Sequence, residues 1–432
     1  MKTGTRILIV LVSLFFSALA GTILMWLAYM LPSARIEEHV KTSALVFQKE
    51  GTYPVLTEYA SSQLDNWTDA LMLNEASCTA AEKGKALITA MENPYGVIGK
   101  ETPAEVLADH FLNGTPYERL KPYPRYWHGY QVFLRPLLEI LTYLGIRRLN
   151  GVLQLTLFFC TCLMLVKRGR AGYLLPWILG YLMLMPPALA KCLQFSACFY
   201  IYMTASLALL LLKPEDSFRK WRWLVFLYAG IAAAFFDVLT YPIATFGVPM
   251  LVSLILSGEQ MTKQHPCLDR LADIIRCGLL WCAGYGGMWA SKWWIAGIVT
   301  GIDVYEDAKN TLQIRTSAAP ADGALHFQIC SCLLKNYGTF LYTPVGFLAA
   351  ALLLYLLFRI LMYVLRGRRV PAAVISAAAV PYLLTGLAPT VWFVFAINHS
   401  SIHFWFTGKA CVVSLLAVLF ALTDFLHRVS RE

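Results

Sequence analysis

The segment Leu64-Asp65-Asn66-Trp67-Thr68-Asp69 sets two carboxylates four residues apart in a polar stretch behind a long apolar one. On a helix that spacing shares one face, so Asp65 and Asp69 can address one hydroxyl or one divalent cation such as Mg or Mn. Asp65 can equally be a helix N-cap. Other residues able to do chemistry interrupt apolar runs: Asp237 in Phe235-Phe236-Asp237, Lys292 in Trp289-Ala290-Ser291-Lys292-Trp293-Trp294, and Asn398-His399-Ser400 with His403. Arg125, Trp127 and His128 fall in Tyr123-Pro124-Arg125-Tyr126-Trp127-His128-Gly129-Tyr130, and Arg135 follows. Ionisable residues among membrane spans are costly and usually functional. Each also has a plainer reading: Lys292 as a snorkelling or cation-π residue, the arginines as anchors of an interfacial helix, and the aromatics as an interfacial belt. His399 and His403, four apart, suit a zinc or manganese site or a hydrogen-bonded pair.

The elements that must position these residues follow from composition. The 432 residues are 58% hydrophobic and only 14% charged, which places the chain outside the soluble class and predicts an all-α polytopic membrane helix bundle. The net charge of +10 reads as topology, because Lys and Arg collect in cytoplasmic loops. No basic tract interleaved with aromatics suggests a nucleic-acid partner. Most of the eleven cysteines lie inside apolar runs; Cys78, Cys330 and Cys332 are expected in outer loops, where a bridge is possible but unassigned.

Residues 1–31 read as the first transmembrane helix, uncleaved and entering from the cytoplasm, although Ser17-Ala18-Leu19-Ala20 faintly resembles a signal-peptidase site. Residues 32–149 read as an extracytoplasmic loop with helices near 36–49, 60–73, 80–91 and 103–112 and an amphipathic helix over 131–147 lying in the outer interface, since Arg135, Glu139, Arg147 and Arg148 oppose a span there. Residues 150–432 form a single membrane domain with spans near 150–166, 173–189, 193–212, 222–240, 242–257, 272–299, 339–365, 370–397 and 407–426. Arg219-Lys220-Arg222, Arg366-Arg368-Arg369 and Arg428-Arg431 then fall inside, giving about ten spans with both termini cytoplasmic. An eleven-span alternative puts Lys2 and Arg6 outside. Asn66, Asn113 and Asn398 each match the glycan-acceptor pattern.

No P-loop, Rossmann fingerprint, HExxH or GxSxG elbow is present, which leaves a lipid-linked phosphate on the outer face as the energised substrate. With its acidic residue soon after the first span, a long first outer loop and many spans, the chain resembles the GT-C class of membrane glycosyltransferases. Its DNxTD, RYWHGY, Lys-between-aromatics and NHSxIH segments also resemble ten-span membrane proteins of Gram-positive bacteria. It departs from several GT-C members in lacking an Asp-Glu pair in this loop. The resemblance implies a bacterial cytoplasmic-membrane enzyme moving a sugar from a polyprenyl-phosphate donor to a cell-envelope glycan, with Asp65, or Asp69, as the acidic residue. Arg125, Arg135, Lys292, His399 and His403 would bind the donor phosphate, Trp127, His128 and Asn398 would lie in the same substrate layer, and Asp69 and Asp237 would orient the acceptor or hold the cation. A flippase for a lipid-linked saccharide and an outer-face phosphotransferase are the rival readings. On the main reading Asp65, Arg125, Asp237, Lys292 and His399 line one outward cavity open sideways to lipid.

Overall fold

The computed structural model describes residues 3–78, 85–212, 216–257, 266–318, 325–366 and 372–429; Lys2, Arg368, Arg369 and Arg431 lie outside them. Helix α1 (Thr3–Tyr29) leads into a segment of shorter helices, α2 (Ala34–Glu50), α3 (Asn66–Ser77), α4 (Ala86–Glu92), α5 (Pro103–Phe111) and α6 (Gln131–Leu138). In that segment β1 (Tyr95–Val97) pairs antiparallel with β2 (Arg119–Lys121), Gly96 opposite Leu120. The bundle continues through α7 (Tyr143–Lys167), α8 (Leu174–Met183), α9 (Pro186–Lys191), α10 (Leu193–Leu211), α11 (Asp216–Phe236), α12 (Ala244–Ser257) and α13 (Pro266–Thr300). It closes with α14 (Val304–Thr316), α15 (Leu325–Leu341), α16 (Pro344–Leu365), α17 (Ala372–Gly386), α18 (Ala388–Phe395), α19 (Ile397–Ile402), α20 (Phe404–Thr407) and α21 (Val412–Val429).

Six helical stretches among the described residues are long and apolar enough to cross a membrane: Gly4–Tyr29, Tyr143–Lys167, Leu193–Leu211, Pro344–Leu365, Ile375–Phe395 and Phe404–Val429. Ala171–Met183, Trp221–Phe236 and Ala244–Ser257 are shorter apolar helices. The fold is therefore an all-α bundle of membrane character. Its outer helices turn apolar side chains outward, as Phe15 and Phe16 of α1 and Phe347 and Leu354 of α16 do, a pattern suited to lipid and not to water. α10 is the buried centre, packed against α7, α11 and α12.

Helices α11 and α13 touch backbone to backbone. A Cβ at Gly230 would lie 2.2 Å from the Trp281 carbonyl oxygen, and one at Gly284 would lie 2.2 Å from that of Leu227. Small residues permit such close approach between membrane helices.

The segment from α2 to α6 has its own core of Ile36, Val40, Phe47, Leu73, Leu107 and Leu138. Its expected helices correspond to α2, a turn at Ala60–Ser62 followed by α3, α4 and α5, the last opened by a capping box between Thr102 and Glu105. The single interfacial helix expected over 131–147 is corrected. Pro136 lies near the end of the short α6, the chain turns, and α7 starts at Tyr143, so Arg147 and Arg148 belong to the N-terminal end of a long apolar helix. Cys330 and Cys332 lie in α15, not in a loop, and all eleven cysteines are free.

Candidate functional site

Asp65 and Asp69 occupy unlike environments. Asp65 caps α3: one carboxylate oxygen accepts from the Thr68 amide (3.1 Å) and the other from the Thr68 hydroxyl (3.0 Å). Burial pushes its carboxyl up to about 7, helped by the charge of Asp69 and opposed by the Thr68 bonds. Asp69 is fully enclosed and accepts from the Tyr143 hydroxyl (2.5 Å) and from the Leu193 (2.8 Å) and Gln194 (3.0 Å) amides. It thus supplies the acceptor that the free N–H groups opening α10 require, and binds that helix to α3. Asp65 keeps lone pairs unspent and lies near the half-exposed Tyr53, whose phenol is pushed up to about 12 by burial and then by Asp65. Asn66, the first glycan-pattern residue, is fully buried, held between Glu50 and the Gly51 carbonyl.

A second group forms where the turn after α11 meets α19. Asp237 needs no cation: its carboxylate accepts from the Thr240 amide (2.9 Å) and hydroxyl. Leu239 follows in the left-handed region at φ +69°, a conformation costing a side-chain-bearing residue about 1–2 kcal/mol. This turns its carbonyl toward His399 Nε2, 2.7 Å away, while His399 Nδ1 lies 2.7 Å from the Arg315 guanidinium. A guanidinium only donates, so Nδ1 accepts, Nε2–H donates to Leu239, and the ring is neutral. Burial, with Arg315 and His403 adding, holds His399 well below the usual imidazole range. His403 contacts the His399 ring, stacks on Phe406 at 5.1 Å, and is pushed down to about 4 by burial and Arg315. Asn398 donates to the Ile314 carbonyl at 2.8 Å.

The remaining residues gather around α13. Arg125 pairs with Asp307 (3.0 Å) and lies over the Tyr123 ring. Trp127 is buried, donates to the Met288 carbonyl (2.7 Å), and has Lys292 over its ring. Lys292, fully buried, donates to the Met91 carbonyl at 2.9 Å, in the last turn of α4. Arg135 spends its donors on the carbonyls of Ala28 and Ala76, at the C-terminal ends of α1 and α3, and on that of Leu31. Both cations thus sit at helix C-termini, where orphan carbonyls and the dipole favour positive charge. Tyr126 and Trp127 are enclosed, whereas Trp67 is exposed.

His128, at φ +53°, sends Nε2–H to the Tyr123 carbonyl (2.9 Å) and places Nδ1 2.8 Å from the Tyr130 hydroxyl, which also contacts Glu75 closely. Glu75, Tyr130 and His128 thus form one buried hydrogen-bonded chain. Glu75 and Arg315 are functional candidates that sequence reading passed over. Glu75 was hidden in the apolar stretch Leu71–Ala76, and Arg315 in a polar helix whose partner, His399, is remote in the chain.

The expected site residues have different immediate surroundings. Asp65, Asp69, Asp237, His399 and His403 adjoin α10 and α19, whereas Arg125, Trp127 and Lys292 adjoin α13 and His128 adjoins α3 through Glu75, with Tyr123 close enough to feel both Arg125 and Arg315. A large cavity lies among other residues: an apolar groove of about 1130 Å³ with α10 as its floor and α6, α7 and α11 as walls, reaching from Met72, Tyr130 and Leu193 to Leu212 and Trp221. Both nitrogens of His399 are engaged, and no group of three or more His, Cys, Asp or Glu able to hold a metal occurs among the described residues. No protein-family model, curated protein or solved structure matches the chain.

Proposed function

We propose that this chain is a membrane glycosyltransferase moving a sugar from a polyprenyl-phosphate donor to a cell-surface glycan on the outer face, with about ten spans and both termini cytoplasmic. The observation that carries the reading is the groove. It follows α10 along its length, about 28 Å at 1.5 Å per residue, nearly the thickness of a hydrocarbon core. Its outer end at Met72 and Leu193 adjoins the junction of α3 and α10 that Asp69 fastens. A long lipid chain lying there would bring its headgroup to the helix that Asp65 caps.

In this reading Asp65 removes the acceptor proton as the acceptor oxygen attacks the anomeric carbon. The bond from that carbon to the phosphate oxygen breaks, and the phosphate leaves with the electron pair. Asp69 positions α3 against α10, His403 contributes a hydrogen-bonding group, and Asp237 holds the Leu239 turn. A flippase for a lipid-linked saccharide is the second reading, favoured by the length of the same groove and by the buried Glu75–Tyr130–His128 chain beside it.

The test uses purified protein in vesicles with radiolabelled polyprenyl-phosphate sugars and cell-envelope acceptors. Asp65→Asn should lower transfer by roughly 10²- to 10⁴-fold. Equal transfer by variant and wild type removes the base assignment, and saccharide movement without bond formation replaces the transferase by the flippase.

A further inference from the structure

Arg315, in the last turn of α14, has no carboxylate partner among the described residues. Its contact is His399 Nδ1, a neutral acceptor, so the guanidinium is aimed without its charge being cancelled. The other cations considered above are spent: Arg125 on Asp307, Arg135 and Lys292 on carbonyls. Further along the same face, His399 contacts His403 and His403 contacts Trp405. Two buried nitrogens there lack partners, His403 Nδ1 and Trp405 Nε1, the latter on a side chain only 8% exposed. Buried polar atoms are normally satisfied. An indole N–H can only donate, an imidazole Nδ1–H tautomer does the same, and four guanidinium N–H groups remain beyond the one given to His399. Asp237, two residues before the carbonyl that fixes His399, is turned into Thr240 and does not supply the missing acceptor.

A positive charge flanked by unpartnered donors fits an oxyanion; a neutral hydroxyl would leave the charge in place, and a metal cation would be repelled. We propose that Arg315, oriented by His399 and flanked by His403 and Trp405, binds a phosphate group at the outer face. The chemistry is common to a prenyl-phosphate headgroup and to free phosphate. The glycosyltransferase reading bears only on which of the two is the physiological ligand.

The experiment is calorimetric titration of the purified full chain in maltoside, with inorganic phosphate, farnesyl phosphate and farnesol as separate probes. Arg315→Gln should weaken phosphate binding by about 10- to 100-fold, the range for hydrogen bonds to a charged group, and leave farnesol unaffected. Trp405→Phe keeps the ring and removes one donor; it should weaken binding several-fold with an unchanged melting temperature, and it decides the matter if Arg315→Gln does not fold. Farnesyl phosphate binding at least tenfold tighter than inorganic phosphate identifies a lipid headgroup, and equal affinity identifies the free ion. No saturable phosphate binding by the wild type, or binding unchanged in both variants, overturns the proposal. Phosphate binding that depends on Arg315 in a protein without transfer activity keeps this site and discards the transferase.

Discussion

At the scale of single residues, the contrast between Asp65 and Asp69 decides what substitution does. Asp69→Ala leaves a buried hydroxyl and two helix-opening amides without an acceptor, and should cost about 3 kcal/mol or more, seen as an early melt in detergent. Asp65→Asn keeps a good cap and should cost less than about 1 kcal/mol. Because the Asp65 carboxyl is raised from 3.8 to about 7 in the folded chain, its contribution to stability is greatest below pH 4 and is lost as pH rises through 7. Transfer by a deprotonated Asp65 should rise over the same upper range, a limb that pH–rate profiles would find missing in Asp65→Asn. His403 has the opposite sign. Its folded value of about 4 lies below the ordinary 6.5, so the unfolded chain protonates first and stability falls as pH drops from 6.5 toward 4. His403→Gln should flatten that part of a melting-temperature profile. The pair of aspartates was legible in the sequence; their division of labour was not, because the groups that saturate Asp69 come from Tyr143 and from residues 193 and 194.

At the scale of elements, apolar run length and punctuation located most of the longer helices but missed α14 and α15, which fall between the spans expected at 272–299 and 339–365. What could not be read was how charged residues inside or beside those runs are used. Arg135 and Lys292 look like substrate ligands in the sequence because their type and apolar setting are visible, while the carbonyls at Ala28, Ala76 and Met91 that they satisfy are distant in the chain. Tertiary use of helix ends overrode the local reading. The contact of α11 with α13 belongs to this scale as well. Gly230→Leu or Gly284→Leu must force those backbones apart, and overpacking of this kind costs about 1–3 kcal/mol or more. Limited proteolysis and melting in detergent should show a less stable bundle for either change, whereas Gly286→Ala, which meets no atom within 4 Å, should behave as wild type.

At the scale of the whole molecule, the chemistry-bearing residues gather toward one end of the bundle but in two neighbourhoods, and Asp65, Asp237, Lys292 and His399 do not line the apolar groove. Only that general concentration was foreseeable from where charges interrupt apolar runs; partition around α10 and α13 depends on the bundle's packing order, which spacing along the chain does not encode. The proposed orientation can be checked by single cysteines in a cysteine-free background. A thiol at the exposed Val55 should react with an impermeant reagent in intact cells, and one at the exposed Trp221 only after the membrane is opened.

The hydrogen lodged among Glu75, Tyr130 and His128 gives this architecture a measurable rhythm. Glu75 has no solvent-exposed surface and His128 almost none, so after transfer to heavy water that hydrogen can be replaced only when α3 and the 123–130 segment part. Its isotopic half-life, followed in the infrared, would therefore time the breathing of the outer cap over the membrane helices.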